Sequence, residues 1–168
     1  MTGIWLLTVS LVLPSMNFGK SLDPVKQGHP STSFMVQAVF EGNVDIVANS
    51  PQCKHAQARG NDYQLIKMLD FFVDVQDNAR LHVAALIHPG VLNERIFAYA
   101  QPYTWRGVQR AVQALYPNKS FSGNIEDIEL DASQIDRAPR AETLLKDMGR
   151  PGWTSLEESV RMNVEDLA

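Results

Sequence analysis

Cysteine is almost absent from this 168-residue sequence, because Cys53 stands alone. A single cysteine rules out an internal disulfide framework and predicts a reducing, cytoplasmic compartment. Positive charge is also sparse: 15 Lys and Arg residues against 19 Asp and Glu residues give a net charge of −4, with no local basic cluster. We therefore expect no nucleic-acid partner. The length and an apolar content of 45% suit one globular domain with its own core.

The sequence has no apolar run that approaches the roughly 20 residues of a membrane-spanning helix, so no membrane partner is expected. Residues 4–14 (IWLLTVSLVLP) come nearest. They could be the apolar region of a signal peptide, but no positive charge precedes them and a poor cleavage site follows. We favour a buried parallel strand, since such strands are continuous Leu and Val runs. In the secreted alternative, Asn118 lies in a glycosylation sequon.

Residues 71–100 contain a compact strand–helix–strand pattern. Aromatic and β-branched residues at 71–75 predict a strand, and Asp74 or Asp77 can cap the helix that follows. Pro89-Gly90 ends this helix, and residues 95–100 return as a strand. This order predicts an α/β fold. The predicted apolar face of the helix consists of Ala79, Val83, Ala84, Leu86 and Ile87.

The segment before this unit predicts shorter elements. Residues 15–20 and 23–30 are rich in turn-forming residues and predict loops. Ser31, Thr32 or Ser33 can cap a helix over residues 34–41 that Gly42-Asn43 ends. Residues 44–48 (VDIVA) are a candidate short strand.

The segment after it predicts three helices. Thr104 caps the first, which Pro117 closes, and a polar loop follows over residues 118–136. The second carries Ala141, Leu144, Leu145 and Met148 on its apolar face. Thr154 and Glu157 form a capping box that opens the last helix, expected to run from Ser155 to about Leu167.

Three segments in order resemble the extended short-chain dehydrogenase/reductase family, also called the NAD-dependent epimerase/dehydratase family, in its branch of dihydroflavonol reductases and fungal carbonyl reductases. They are residues 7–24 (LTVSLVLPSMNFGKSLDP), 72–100 (FVDVQDNARLHVAALIHPGVLNERIFAYA) and 150–163 (RPGWTSLEESVRMN). In that family the second segment lies well past the middle of the protein. The resemblance thus implies that residues 1–168 form a C-terminal portion: the last strands of a partial Rossmann-type sheet plus a small α/β substrate-binding domain.

The resemblance also implies site residues. Leu13 and Pro14 would border the nicotinamide end of NADP, Ser31 and Thr32 would approach its phosphates, and Asn17 would lie near the carbonyl of a small-molecule substrate. From the residues alone, Pro14 can equally be a strand terminator, and Ser31 and Thr32 can be plain helix-capping residues.

Two motifs of the family are missing. The sequence contains no GxxGxxG turn, which would place a helix N-terminus at the pyrophosphate. Its one Tyr-x-x-x-Lys, Tyr63 with Lys67, lies in the segment that does not resemble the family. We therefore expect no catalytic residue, no tight NADP binding and no activity by the chain alone.

The resemblance as a whole predicts a truncated NAD(P)-dependent ketone or aldehyde reductase, of the kind found in fungal secondary metabolism. The alternatives are a non-catalytic module that pairs with an intact reductase and a small secreted protein.

Residues 53–70 (CKHAQARGNDYQLIKMLD) interrupt the resemblance. A surface insertion explains them, since loops tolerate added length. A retained intron is the alternative, because Cys53-Lys54-His55 can be encoded by a sequence that contains a fungal splice donor. Cys53 and His55 could also be half of a metal site, but a second ligand pair at suitable spacing is missing, so no metal is expected.

Overall fold

The computed structural model describes residues 8–49, 71–128, 130 and 134–168. The predicted insert, with Cys53, His55, Tyr63 and Lys67, lies outside the described residues. The described secondary structure is, in chain order, β1 Leu11–Pro14, β2 Met16–Phe18, α1 Pro24–Gln27, α2 Thr32–Glu41, α3 Val44–Ala48, β3 Phe71–Asp74, α4 Val75–Ile87, β4 Arg95–Ala98, β5 Gln101–Pro102, α5 Trp105–Leu115, α6 Ala138–Asp147 and α7 Leu156–Val164.

The strands form two small sheets joined by one residue. β1 pairs in parallel with β4, while β3 lies between β2, parallel to it, and β5, antiparallel to it. Ser15 connects the sheets: its backbone N–H donates to the Ala98 carbonyl at 3.3 Å, and its hydroxyl donates to the Phe71 carbonyl at 2.7 Å. The predicted α/β fold class is confirmed.

β1 confirms the predicted parallel strand in part. It covers Leu11–Pro14, and residues 8–10 precede it without strand structure. Its predicted burial is wrong, since Val9 is 53% and Leu11 is 46% exposed. The reason is that β4 is the only partner of β1 among the described strands, so part of β1 faces solvent.

Two predicted loops contain regular structure. Residues 15–20 include β2, whose Met16 is in register with Phe72 of the buried strand β3. Residues 23–30 include the short helix α1, because Pro24 is at its first turn and the Asp23 carboxylate accepts the Lys26 backbone N–H at 3.1 Å. Both elements were missed because each is only three or four residues long.

Residues 44–48 form the helix α3 and not the predicted strand. Short apolar runs do not distinguish strand from helix by period. Here α3 packs against α2 with Val47 buried. Val44–Ala48 takes no part in either described sheet.

Helix caps follow the sequence closely. The Asp74 carboxylate accepts the Gln76 backbone N–H at 2.8 Å, and the Thr104 hydroxyl accepts that of Gly107 at 3.0 Å. The cap of α7 is Ser155, one residue after the expected Thr154, and its hydroxyl accepts the Glu158 N–H at 3.2 Å. Gly42 ends α2 with a φ of 84°, the left-handed conformation that favours glycine.

Two apolar cores meet at β3. Phe72 belongs to the first core and its neighbour Val73 to the second, because successive side chains of a strand point to opposite faces. The first core packs α2, α5 and α7 around an aromatic group of Phe18, Phe72, Tyr103 and Trp105. The second packs α4, β4 and α6, with the buried residues Leu81, Ala84, Ile96, Ala98, Ala141, Leu144 and Leu145.

The predicted inner face of α4 is largely wrong. Ala84 is buried, as predicted, but Val83, Leu86 and Ile87 are 47%, 85% and 62% exposed. Leu81 occupies the core in their place. α4 thus packs its other side against β1 and α6, and Val83, Leu86 and Ile87 of the predicted face point away from both cores. Within the part of the chain that the structure describes, no helix is both long and apolar enough to cross a bilayer.

Candidate functional site

A cavity of about 360 Å³ lies between β2, α1 and the start of α2. Asn17, Ser31 and Thr32, three of the residues predicted for the site, all line it. Leu13 and Pro14 do not line it, since both belong to β1 and pair with Phe97 and Ala98. The other lining residues are Phe18, Gly19, Lys20, Ser21, Leu22, Gln27, Pro30, Ser33 and Val75.

Other cavities are larger but contain none of the predicted residues. One of about 510 Å³ is lined by Tyr99 and Trp153 among others, and one of about 880 Å³ by Tyr103 and Arg110 among others. The 360 Å³ cavity is therefore the candidate site.

Asn17 is held from three sides at the base of the cavity. The backbone carbonyl of Asn17 accepts a hydrogen bond from the Thr32 hydroxyl at 2.6 Å. In its side chain, Oδ1 accepts a hydrogen bond from Nδ2 of Asn78 at 2.8 Å, and Nδ2 donates to the Ser15 backbone carbonyl at 3.0 Å. An amide nitrogen carries two hydrogens and the oxygen two lone pairs, so each atom keeps capacity for a ligand. The bonds fix the orientation of the side chain before anything binds.

Ser31 gives the cavity an unusual wall. It precedes α2 with a φ of 54°, in the left-handed region, and its side chain makes no capping bond to the helix. Non-glycine residues rarely adopt this conformation, which costs of order 1–3 kcal/mol. Ser31, Thr32 and Ser33 at the start of α2 line the cavity, and Ser31, one of the three predicted capping residues, leaves the first backbone N–H groups of the helix without a side-chain cap. The positive end of a helix dipole favours an anion there.

Asn163 of α7 fixes the loop that forms the cavity. Its Oδ1 accepts the Gly19 N–H at 3.2 Å and the Ser33 hydroxyl at 2.9 Å, and its Nδ2 donates to the Ser33 carbonyl at 3.1 Å. Asn163 is fully buried. The sequence held one signal for it, since Asn163 is seven residues after Leu156 and three after Val160, on the apolar face of the helix. A polar residue in that pattern needs partners.

His29 forms a second link between the segment before α2 and the C-terminal residues of the chain. Its Nε2 is 3.1 Å from Asp166 Oδ2, its Nδ1 is 3.3 Å from the Ser33 hydroxyl, and the residue is buried. On the opposite side, Lys20 pairs with Glu165 at 3.2 Å and remains half exposed. Residues 19–33, which form much of the cavity wall, are thereby linked by hydrogen bonds and ion pairs to Asn163 and to the two residues that follow α7, Glu165 and Asp166.

Asp74 lies directly behind Gly19. Burial raises the pKa of its carboxyl, although the Ser159 hydroxyl donates to Oδ2 at 2.8 Å and opposes that shift. A Cβ on Gly19 would lie 2.5 Å from the same oxygen, and Gly19 has a φ of 116°. Only glycine therefore fits between β2 and β3 at this point.

The cavity can bind and orient a ligand, but its residues offer little proton-transfer chemistry. It presents hydroxyls, amides and the Lys20 ammonium group, and its described lining residues include neither Tyr, His nor Cys. None of the described His, Asp and Glu residues form a cluster of three or more suited to a metal ion.

Comparisons with known proteins give consistent relatives. The chain is 31% identical to aldehyde reductase 2 of Sporidiobolus salmonicolor over 92% of its own length and 40% of that protein. It is 34% identical to ketoreductase adrE of Penicillium roqueforti and 33% identical to the NAD-dependent epimerase/dehydratase tndE of Aspergillus flavipes, with similar coverage. No family model matches.

The chain is similar in sequence to the C-terminal part of these reductases. It spans about 40% of the length of the relatives it matches, and the match falls in their C-terminal half. The fold agrees: Gre2 of Candida albicans in complex with NADPH superposes with a TM-score of 0.67 at 18% identity, over 95% of this chain and 43% of that one. The expected relationship to carbonyl reductases is thus confirmed.

The residues present fit one end of a dinucleotide and not the whole molecule. A cavity of about 360 Å³ is at the small end of ligand sites and suits a small carbonyl compound. The N-terminus of α2 and the Ser31 hydroxyl supply donors for one anionic group, since the Thr32 hydroxyl already donates to the Asn17 backbone carbonyl. Nothing in the sequence supplies the GxxGxxG turn for the rest.

Proposed function

We propose that this chain is the substrate-binding portion of an NAD(P)-dependent carbonyl reductase that acts on a small ketone or aldehyde. The observation that carries the proposal is the gathering of Asn17, Ser31 and Thr32 around one cavity, in a chain homologous to reductases. The sequence separates Asn17 from Ser31 by a short helix and two loops.

Each residue has a distinct role in this proposal. Asn17, oriented by Asn78 and Ser15, contacts the substrate near its carbonyl. Ser31 and Thr32, at the start of α2, contact the phosphates of NADP. Leu13 and Pro14, at the end of β1, border the nicotinamide without lining the cavity itself.

The chain alone has no reductase activity in this proposal and binds NADP weakly. Hydride comes from the cofactor when it is bound, while protein groups position the reactants and supply a proton. The described lining of the cavity includes no tyrosine for that proton, and the Tyr63–Lys67 pair lies outside the described residues. We further propose a cytoplasmic protein of fungal secondary metabolism.

Two measurements test these statements on the purified chain. Ligand-detected NMR with a panel of small ketones and aldehydes should show binding that Asn17→Ala weakens, whereas Ser120→Ala, at an exposed residue, should not. NADPH oxidation in the presence of the same panel should stay at the level of the blank. Absence of carbonyl binding by a folded chain would refute the substrate-binding role, and measurable turnover would refute the inactivity.

A further inference from the structure

A serine, a histidine and an aspartate lie in hydrogen-bond contact beside the candidate cavity. The Ser33 hydroxyl oxygen is 3.3 Å from His29 Nδ1, and His29 Nε2 is 3.1 Å from Asp166 Oδ2. The three residues come from the segment before α2, from the first turn of α2 and from the residues after α7. A nucleophile in contact with a base that a carboxylate orients is the arrangement of serine hydrolases, which is recognised by geometry and not by sequence order.

Asp166 determines which nitrogen of His29 can accept a proton. An ionised carboxylate only accepts hydrogen bonds, so His29 Nε2 carries the hydrogen and donates it to Asp166 Oδ2. In the neutral ring the other nitrogen, Nδ1, then has its lone pair toward Ser33. The His29 side chain is only 2% exposed, so little water competes for its ring nitrogens. The imidazole is therefore oriented as a base for the Ser33 hydroxyl.

Ser33 has two acceptors within reach of its one hydroxyl hydrogen. The hydroxyl donates to Asn163 Oδ1 at 2.9 Å, and His29 Nδ1 is the second acceptor. Because the hydrogen rotates about the C–O bond, it can be directed to either. When it points to His29, Asn163 Oδ1 still accepts the Gly19 N–H at 3.2 Å. Asn163 Nδ2 is 3.5 Å from His29 Nδ1 but donates to the nearer Ser33 backbone carbonyl at 3.1 Å, so both polar atoms of the Asn163 side chain keep a partner.

Ser33 is the member of this group that a ligand can reach. It lines the cavity of about 360 Å³, whereas His29 and Asp166 are not among the described lining residues, so the base lies behind the Ser33 oxygen. The first backbone N–H groups of α2 have no side-chain cap from Ser31, and amide donors of this kind can stabilise an oxyanion. The cavity is small for a ligand site, which favours an ester with a short acyl group.

We propose that Ser33, His29 and Asp166 give the chain a hydrolase activity toward small carboxylic esters. Ser33 Oγ forms a bond to the acyl carbon while His29 Nδ1 takes the hydroxyl proton. The bond between that carbon and the alcohol oxygen then breaks, and the alcohol leaves with the proton. Water next attacks the acyl-serine and gives a proton to His29, the acid is released, and this proton returns to Ser33 Oγ. The reaction uses neither NADP nor hydride, so it goes beyond the proposed function and does not rest on it.

Reaction of the purified chain with p-nitrophenyl acetate tests the proposal. We expect a burst of p-nitrophenolate followed by slower turnover, and peptide mass spectrometry should locate the acetyl group on Ser33. Ser33→Ala should abolish this acetylation. His29→Gln keeps a hydrogen-bonding side chain that cannot take the proton, so it should slow acetylation on the order of 100-fold. Asp166→Asn no longer fixes the hydrogen on His29 Nε2 and should slow acetylation by about tenfold or more.

The matched control is His82→Gln, because His82 is an exposed histidine of α4 outside this group. It should react at the wild-type rate, and circular dichroism should show which variants are folded. If Ser33→Ala or His29→Gln does not fold, Asp166→Asn decides, since the Asp166 side chain is 28% exposed. Acetylation that is absent or lies only on other residues would overturn the proposal. A rate that folded Asp166→Asn leaves unchanged, or that His82→Gln lowers equally, would also overturn it.

Discussion

Asn163 and Ser33 are joined by two hydrogen bonds across 130 residues of sequence. The Ser33 hydroxyl donates to Asn163 Oδ1 at 2.9 Å, and Asn163 Nδ2 donates to the Ser33 carbonyl at 3.1 Å. This reciprocal pair holds the first turn of α2 against α7. The shape of the candidate cavity thus depends on the C-terminal helix, which contributes no residue to its lining.

Asn163→Ala should destabilise the chain by about 2–4 kcal/mol, because the Gly19 N–H and both Ser33 groups lose a buried partner. Urea unfolding followed by circular dichroism measures the change. Asn118→Ala, at an exposed asparagine in a loop, is the matched control and should stay within about 0.5 kcal/mol of the wild type. Equal losses for the two variants would contradict the role of Asn163.

Gly19→Ala should cost about 2–4 kcal/mol, because it combines a φ of 116° with a Cβ placed 2.5 Å from Asp74 Oδ2. Gly28→Ala separates the two effects. Gly28 also has a positive φ, 62°, with a ψ of −147°, but its Cβ would have no neighbour within 4 Å, so only the backbone cost of about 1–3 kcal/mol is expected. Thermal unfolding of both variants checks the difference, and a loss at Gly28 as large as at Gly19 would show that the Asp74 contact is unimportant.

Asp74 should make stability fall as pH rises. Burial raises its pKa in the folded chain, so the folded state holds this proton more tightly than the unfolded state does. The contribution is fully present below the unfolded value of about 4 and is lost as pH passes through the raised folded value. Asp74→Asn removes this titration. The stability of the wild type relative to Asp74→Asn, measured by urea unfolding, should therefore decrease as pH rises from about 4 through the raised folded value. A difference that is constant or grows with pH would contradict the assignment.

Among the described strands β1 has a partner on one edge only, and its other edge should promote aggregation of the chain in isolation, since unpaired strand edges join other strands. Leu11→Lys places a charge at that edge and should slow the growth of light scattering at a fixed concentration and temperature. Val25→Lys adds the same charge at a distant exposed site. If both variants slow aggregation equally, net charge and not the strand edge is the cause.

The sequence predicted those features that depend on a few neighbouring residues. The Asp74 and Thr104 caps and the Gly42 stop are local hydrogen-bond and backbone effects. Val44–Ala48 was assigned as a strand because five residues carry too little periodicity, and packing against α2 decides for a helix.

The candidate site was likewise predicted only in part from the sequence. The resemblance brought Asn17, Ser31 and Thr32 to attention, and all three line the cavity. Asn163 and Gly19 were missed because their partners are more than 50 residues away in sequence. α4 was misjudged for another reason: its pattern specifies burial on two sides, and the described residues cover one.

β3 has one residue, Phe72, in the first core and the next, Val73, in the second. If either core unfolds, β3 is displaced, and its buried side chain in the other core is displaced with it. The chain should therefore lose both cores in one cooperative transition, with near-UV signals from Trp105 and helix signals from α6 changing at the same denaturant concentration. A four-residue strand thus sets the size of the unit that folds.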